Sequence, residues 1–302
     1  MIILLLLALT LGNSNSSLLL EKTSDIAAIF HRNCVQILPT ESVNPKTLSS
    51  LLCGENITEN SLKQNLIKTS LIHIFVISGS HLILLDELLS ILKIPLFVRF
   101  IFLTGYSLAT GWQAPAVRAL IALATRTFFK FYKWPFSSDL TILCAGMITL
   151  CLYPAWWNSL SLLMSWCAAL ALCWTSVLRI RENFWRTFLS QLAIFLFMSL
   201  PLLGIGNLHP LSVIFNLLLA PVVSFVLLPL AFLSVLIHPL LKVFDFVMAL
   251  FSTTLNVFSD PITVTAGERT SIGFLWLWIF AWHVIFHFLR LKIYQGRDHA
   301  RE

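Results

Sequence analysis

Charge is what this sequence has least of. Lys, Arg, Asp and Glu make up 11% of its 302 residues, against about 25% in soluble domains, while 58% are hydrophobic. So few charged groups cannot cover the surface of a water-soluble fold of this length, and a soluble core is excluded on composition. The short motifs of nucleotide-driven enzymes are missing as well. No GxxxxGK[ST] and no GxGxxG loop occurs, so the chain carries no visible ATPase, and energy for any transport must come from a gradient or a partner. There is no internal repeat and no heptad array. No CxxC pair, no Cys/His spacing of a zinc site and no HxHxDH run is present, so neither a metal nor another cofactor is expected.

What is present is apolar length. The expected fold is all-α, a polytopic transmembrane helical bundle with broken or kinked helices. Residues 1–12, MIILLLLALTLG, form a signal-like or anchor segment, and residues 13–68 are polar and of mixed charge. Apolar spans are expected at about 69–92, 95–110, 114–131, 138–153, 157–179, 184–203, 211–238, 240–258 and 271–290, followed by a basic tail over 291–302. Lys93, Arg99, Arg126, Lys130, Lys133, Arg179, Arg181, Arg186, Lys242 and Arg290 then fall on one side. The loops near 112, 155 and 206 hold no Lys or Arg, and that near 265 holds Arg269 alone. By the positive-inside bias, 13–68 lies outside and the C-terminus is cytoplasmic. In an outside segment a Cys34–Cys53 disulfide can form; Cys144, Cys151, Cys167 and Cys173 lie in apolar runs and read as small hydrophobes.

Three stretches put polar or helix-breaking residues at membrane depth. The first is TSLIHIFVISGSHLILLDELLSIL, where His73, Ser78, Gly79, Ser80 and His81 interrupt a span. It reads as a functional helix break lining a wet cavity or as a small-residue packing notch. A metal pair of His73 and His81 lacks a third ligand. The second is TGWQAPAVRAL, with Gly111, Pro115 and then Arg118, which must either face a polar interior or an anion, or snorkel to the outer surface. The third is NLLLAPVVSFVLLPLAFL, where Asn216, Pro221 and Pro229 predict a bent or re-entrant segment, or a merely kinked packing helix, and Asn216 needs a partner. His283 and His287, one turn apart among Trp residues, read as interfacial, and Asp86 and Glu87 lie where Lys93 can neutralise them.

In order, LLCGENITENSLKQNLIKTSLIHIFVISGSHL, TGWQAPAVRAL, SLLMSW and NLLLAPVVSFVLLP resemble the competence domain of the ComEC family of DNA-uptake membrane proteins, over about residues 50–235. His73, Ile77, Ser78, Gly79 and His81 match the ISG.H element, with Ser80 at its usual Leu. Gly111, Pro115, Arg118 and Ala119 match the second motif, and Asn216, Pro221 and Pro229 the last. SLLMSW keeps Ser165 but has Leu163 at the family's Gln. The resemblance implies a channel in the bacterial inner membrane that passes single-stranded DNA inward during natural transformation, with no catalytic residue of its own. Implied partners are single-stranded DNA, the lipid bilayer, an extracytoplasmic DNA receptor, a separate nuclease and a cytoplasmic ATPase motor. The OB-fold and metallo-β-lactamase-like domains of longer members are not expected in this chain. Arg118 is the expected phosphate contact.

Two other classes are open to the same residues. A carrier of a small solute or lipid uses similar broken helices at mid-membrane. An intramembrane serine protease needs GxSG and a His on a close-packed helix, and here Val76 stands at the first Gly position.

Overall fold

The computed structural model of the protein describes residues 17–72, 79–177, 183–203, 209–260, 262 and 270–298. Among the described residues three helices come first: α1 (Ser17–Ile37), α2 (Pro45–Cys53) and α3 (Asn60–Lys68). The apolar part follows as α4 (Gly79–Ile91), α5 (Leu96–Ala109), α6 (Ala114–Phe131), α7 (Ser138–Leu152), α8 (Leu160–Val177) and α9 (Asn183–Leu202). Helix α10 (Leu211–Val222) continues through a π turn (Val223–Leu227) into α11 (Leu228–Leu236), and α12 (Leu240–Ser259) and α13 (Ile272–Asp298) complete the bundle.

Among the described residues, four segments are long and apolar enough to cross a bilayer: Phe184–Leu202, Leu211–Leu236, Leu240–Ser259 and Ile272–Lys292. Others are shorter than the sequence led one to expect. Helix α5, with 14 residues, is about 21 Å long at ~1.5 Å per residue, less than a hydrocarbon layer of roughly 30 Å. Its limits are chemical, since Pro95 precedes it and Gly111 ends it with φ +80°. The expected span 69–92 is likewise not one helix in its described residues. Thr69 caps α3, Ser70 turns the chain at φ 59° with Leu71 N bonding back to Leu66 O at 2.8 Å, and α4 starts at Gly79.

The proline-rich segment does not re-enter. It stays helical over 26 residues, with Pro221 inside α10 and Pro229 in the first turn of α11. Pro221 removes one N–H and crowds the carbonyl four residues earlier; the π turn that follows absorbs the mismatch by lengthening the local hydrogen-bond ring.

Three apolar cores hold the bundle. Leu48, Leu51, Leu66 and Leu71 pack with Val223, Leu227, Phe244 and Leu255, so α2 and α3 are part of the bundle wall and not a free polar segment. Trp166, Phe197, Trp276 and Ile279 form a second core from α8, α9 and α13. Leu82, Leu103, Ala116 and Ala119 join α4, α5 and α6, with Phe232 of α11 packed against them. Large apolar side chains such as Phe97, Phe246 and Leu236 stand exposed on the outside, as suits a lipid solvent.

Polar contacts tie the N-terminal helices to α12. Glu41 pairs with His238 at 2.8 Å, Ser42 Oγ donates to Asp245 Oδ1 at 2.7 Å, and Ser259 Oγ donates to Asn65 Oδ1 at 2.9 Å. The stretch 41–65 therefore accompanies α12 along its length. Residues 41–43 lie beside His238 and the first turns of α12. Asp86 is neutralised by Arg99, whose Nε donates at 2.9 Å, and not by Lys93, which sits in the turn after α4.

Candidate functional site

The site is built where α5 turns into α6. Gly111 and Trp112 both have positive φ, +80° and 51°, and Trp112 N bonds to Ser107 O at 2.8 Å, a left-handed helix end for which glycine is the natural residue. Trp112 Nε1 donates to Tyr153 Oη at 3.0 Å. Gln113 is extended at the N-cap of α6 and its side-chain amide donates to Gly54 O at 3.2 Å, tying the turn to the end of α2. Pro115 occupies the first turn, where a missing N–H costs no helical bond. Arg118 follows one turn deeper.

Arg118 does not snorkel. It is 4% exposed, and its Nε donates to Ser165 Oγ of α8 at 3.1 Å. Among the described residues no carboxylate lies within ion-pair distance of it. Gly79, the first residue of α4, completes the cluster. A Cβ on Gly79 would stand 3.1 Å from Ala119 Cβ, 3.2 Å from the Pro115 carbonyl oxygen and 3.5 Å from Ser165 Oγ. The ISG.H, P..RA and SLLMSW stretches thus meet around one guanidinium. A lone Arg at membrane depth costs about 2.5–3.5 kcal/mol on insertion scales, so the arrangement favours whatever anion reaches it.

The neighbour of Ser165 extends the network. Trp166 is fully buried; its Nε1 donates to His283 Nε2 at 2.9 Å, which places the proton of a neutral His283 on Nδ1. His283 is therefore a buried interhelical partner between α8 and α13, not an interfacial residue. Trp166 lies directly over Gly146 of α7, where a Cβ would come within 2.2 Å of the ring. His287, one turn on, bonds Asp139 at 3.2 Å, and Arg290 pairs with the same carboxylate, which is 2% exposed. Gly146 and Trp166 carry no role in the sequence motifs, and Ser165 stands there only as a matched position. The signal for Ser165 and Trp166 was the SLLMSW stretch itself; nothing marked Gly146.

His81 is fully buried, whereas Ser80 is exposed. His73 and Ser78 lie outside the described residues. Asn216 is 5% exposed and its Oδ1 finds no hydrogen-bond partner among the described residues, nor does Ser212 Oγ one turn earlier. Leu219 and Ala220 beside it belong to the α2/α3 core, so Asn216, Pro221 and Pro229 are not part of the Arg118 cluster; α11 approaches that region through Phe232, whose ring centroid is 5.8 Å from that of Tyr106. Cys34 and Cys53 are joined by a disulfide, with Cα atoms 5.9 Å apart, that fastens α1 to α2.

A family model described as Competence protein matches residues 51–295, from the middle of α2 into α13. It takes in Gly79, Arg118, Ser165 and His283. No curated protein and no solved structure matches the chain.

Proposed function

The chain belongs to the Competence protein family and is a competence-associated membrane protein, and on that premise we propose that it is the channel that passes one strand of DNA into the cytoplasm. We place it in the bacterial inner membrane with its C-terminus inside. It acts as a conduit and not as an enzyme. Cleavage and motive force come from a separate nuclease and an ATPase motor, and an outside receptor delivers the DNA.

The observation that supports this reading is Arg118, buried in the bundle with a serine hydroxyl and no carboxylate beside it among the described residues. A moving polyanion needs cations that attract each phosphate and release it again. A guanidinium held by one neutral hydrogen bond does that, whereas one neutralised by an internal carboxylate does not. Ser165 holds the guanidinium at Nε, and among the described residues no further hydrogen bond engages its terminal nitrogens, which suit a phosphate.

Labelled-DNA uptake tests the reading. Arg118→Ala is expected to lower uptake at least about tenfold, the size of one lost charge-assisted hydrogen bond. Arg118→Lys should keep part of it, because a point charge attracts phosphate without the fork. Normal uptake in Arg118→Ala, with the protein at its usual level in the membrane, would refute the proposal.

A further inference from the structure

A cavity of about 360 Å³ opens at the same end of the bundle as the Gly111–Gln113 turn, lined by His31, Lys46, Gly54, Glu55, Asn56 and Thr58. It lies between α1, the start of α2 and the loop after α2. The disulfide between Cys34 and Cys53 closes its frame from one side. From the other, His31 Nδ1 donates to Ala109 O at 3.1 Å and Gln113 Nε2 donates to Gly54 O at 3.2 Å. The carbonyl can only accept, so Nδ1 carries the proton, and Nε2 is an acceptor when the ring is neutral and a donor when it is charged. Ser49 Oγ donates to Glu55, which holds that carboxylate in place. None of these groups belongs to the Arg118 cluster.

We propose that this cavity binds one nucleotide of single-stranded DNA, with Lys46 on the phosphodiester and Glu55 and Asn56 on the base edge, as a station ahead of Arg118. The inference rests on the conduit reading. Its volume is that of a small-molecule site and not of a duplex groove. Its charge pattern separates a nucleotide from a simple anion: Glu55 opposes a free phosphate, but accepts from the amino or imino groups that a base presents while Lys46 meets the single charge of a phosphodiester. Asn56 and Thr58 can each donate and accept, so they tolerate different bases. The station is also on the route. Gln113 joins the cavity frame to the N-cap of α6, and Arg118 lies five residues further along, about 7.5 Å at ~1.5 Å per residue. Lys46 is exposed, so its charge is available to an incoming strand.

The test uses the full chain in detergent micelles and a short fluorescent oligothymidylate, with affinity measured against salt. Lys46→Gln is expected to bind about tenfold more weakly, and its log–log salt slope should fall by about 0.7, the value for one lost phosphate contact on a single strand. Asn56→Ala should weaken binding severalfold with no change of slope. Lys63→Gln, an exposed lysine on α3 outside the cavity, should leave both unchanged. Equal losses in Lys46→Gln and Lys63→Gln would reduce the effect to unspecific surface charge and overturn the proposal, as would an Asn56→Ala chain that binds normally. Retention of the Cys34–Cys53 bond on a non-reducing gel shows that each variant keeps its frame. If the unaltered chain binds no oligothymidylate while uptake still depends on Arg118, the station falls and the conduit stands. Loss of both removes the conduit as well.

Discussion

Replacing Gly146 with alanine adds one methyl group where, among the described glycines, a Cβ would meet its neighbour at the shortest distance. An ideal Cβ there lies 2.2 Å from Cη2 of Trp166 and 2.4 Å from Cζ2 and Cζ3. Carbon atoms in contact stand about 3.5–4.0 Å apart, so the indole must retreat by more than 1 Å, roughly the difference between those distances. It has nowhere to go. Trp166 is fully buried, edge-on to Trp276 with centroids 5.4 Å apart, and bonded to His283 at 2.9 Å. Overpacking of this kind costs about 1–3 kcal/mol, and loss of the Trp166–His283 bond adds about 0.6–1 kcal/mol in a membrane protein. Gly146→Ala is therefore expected to destabilise the chain by about 2–4 kcal/mol in reversible unfolding from micelles. The clashing atoms belong to the six-membered part of the indole, beyond the reach of a phenylalanine ring. In a Trp166→Phe background the same methyl should cost less than about 0.5 kcal/mol, giving a coupling of roughly 2 kcal/mol in a double-mutant cycle. A full penalty that persists in the Trp166→Phe background, or no penalty in the native one, would refute the contact.

Other substitutions test other parts of the bundle. Asp139→Asn should destabilise by about 3–5 kcal/mol because it leaves the largely buried Arg290 without its carboxylate, and Arg290→Met added to it should recover much of the loss in the same unfolding assay. Gly79→Ala is expected to cost about 1–3 kcal/mol, since its new methyl meets the Pro115 carbonyl, which is backbone and yields little, and to lower DNA uptake by shifting Ser165 beneath Arg118. Gly105→Ala, with nothing within 4 Å, should instead be neutral or stabilise α5 by up to about 1 kcal/mol. Cys34→Ser should cost about 3 kcal/mol, the loop-closure value for a bridge of sequence separation 19, read from unfolding with and without reductant.

Legibility differed from one residue to the next. Gly111 was visible as an interruption of the apolar pattern before Pro115, but its left-handed conformation, φ +80°, was not. Arg118 was visible as a charge in an apolar stretch, but whether it faced inward or reached for the surface was not. Both are open to a residue near a helix end, and only the position of Ser165, 47 residues later, decides it. The roles of His283 and His287 were hidden for the same reason: Trp166 and Asp139 are 117 and 148 residues away from them. Proline marked a disturbance at Pro221 but not its form, since a break, a kink and a π turn all answer one missing N–H.

By itself, the sequence determined that this is a helical membrane protein, because 58% hydrophobic residues and 11% charged ones leave no other solvent for most of its surface. Its ordered motifs also determined the family. The tertiary structure alone decided which helices are long, that α2 and α3 line the bundle, that 41–43 pack beside the start of α12, and that Gly79, Arg118 and Ser165 meet at one point. Apolar content and local turns are properties of neighbours in the chain, whereas helix pairing or a converging polar cluster comes from contacts between residues far apart in it, and the hydropathy of each segment is the same whether or not those contacts form.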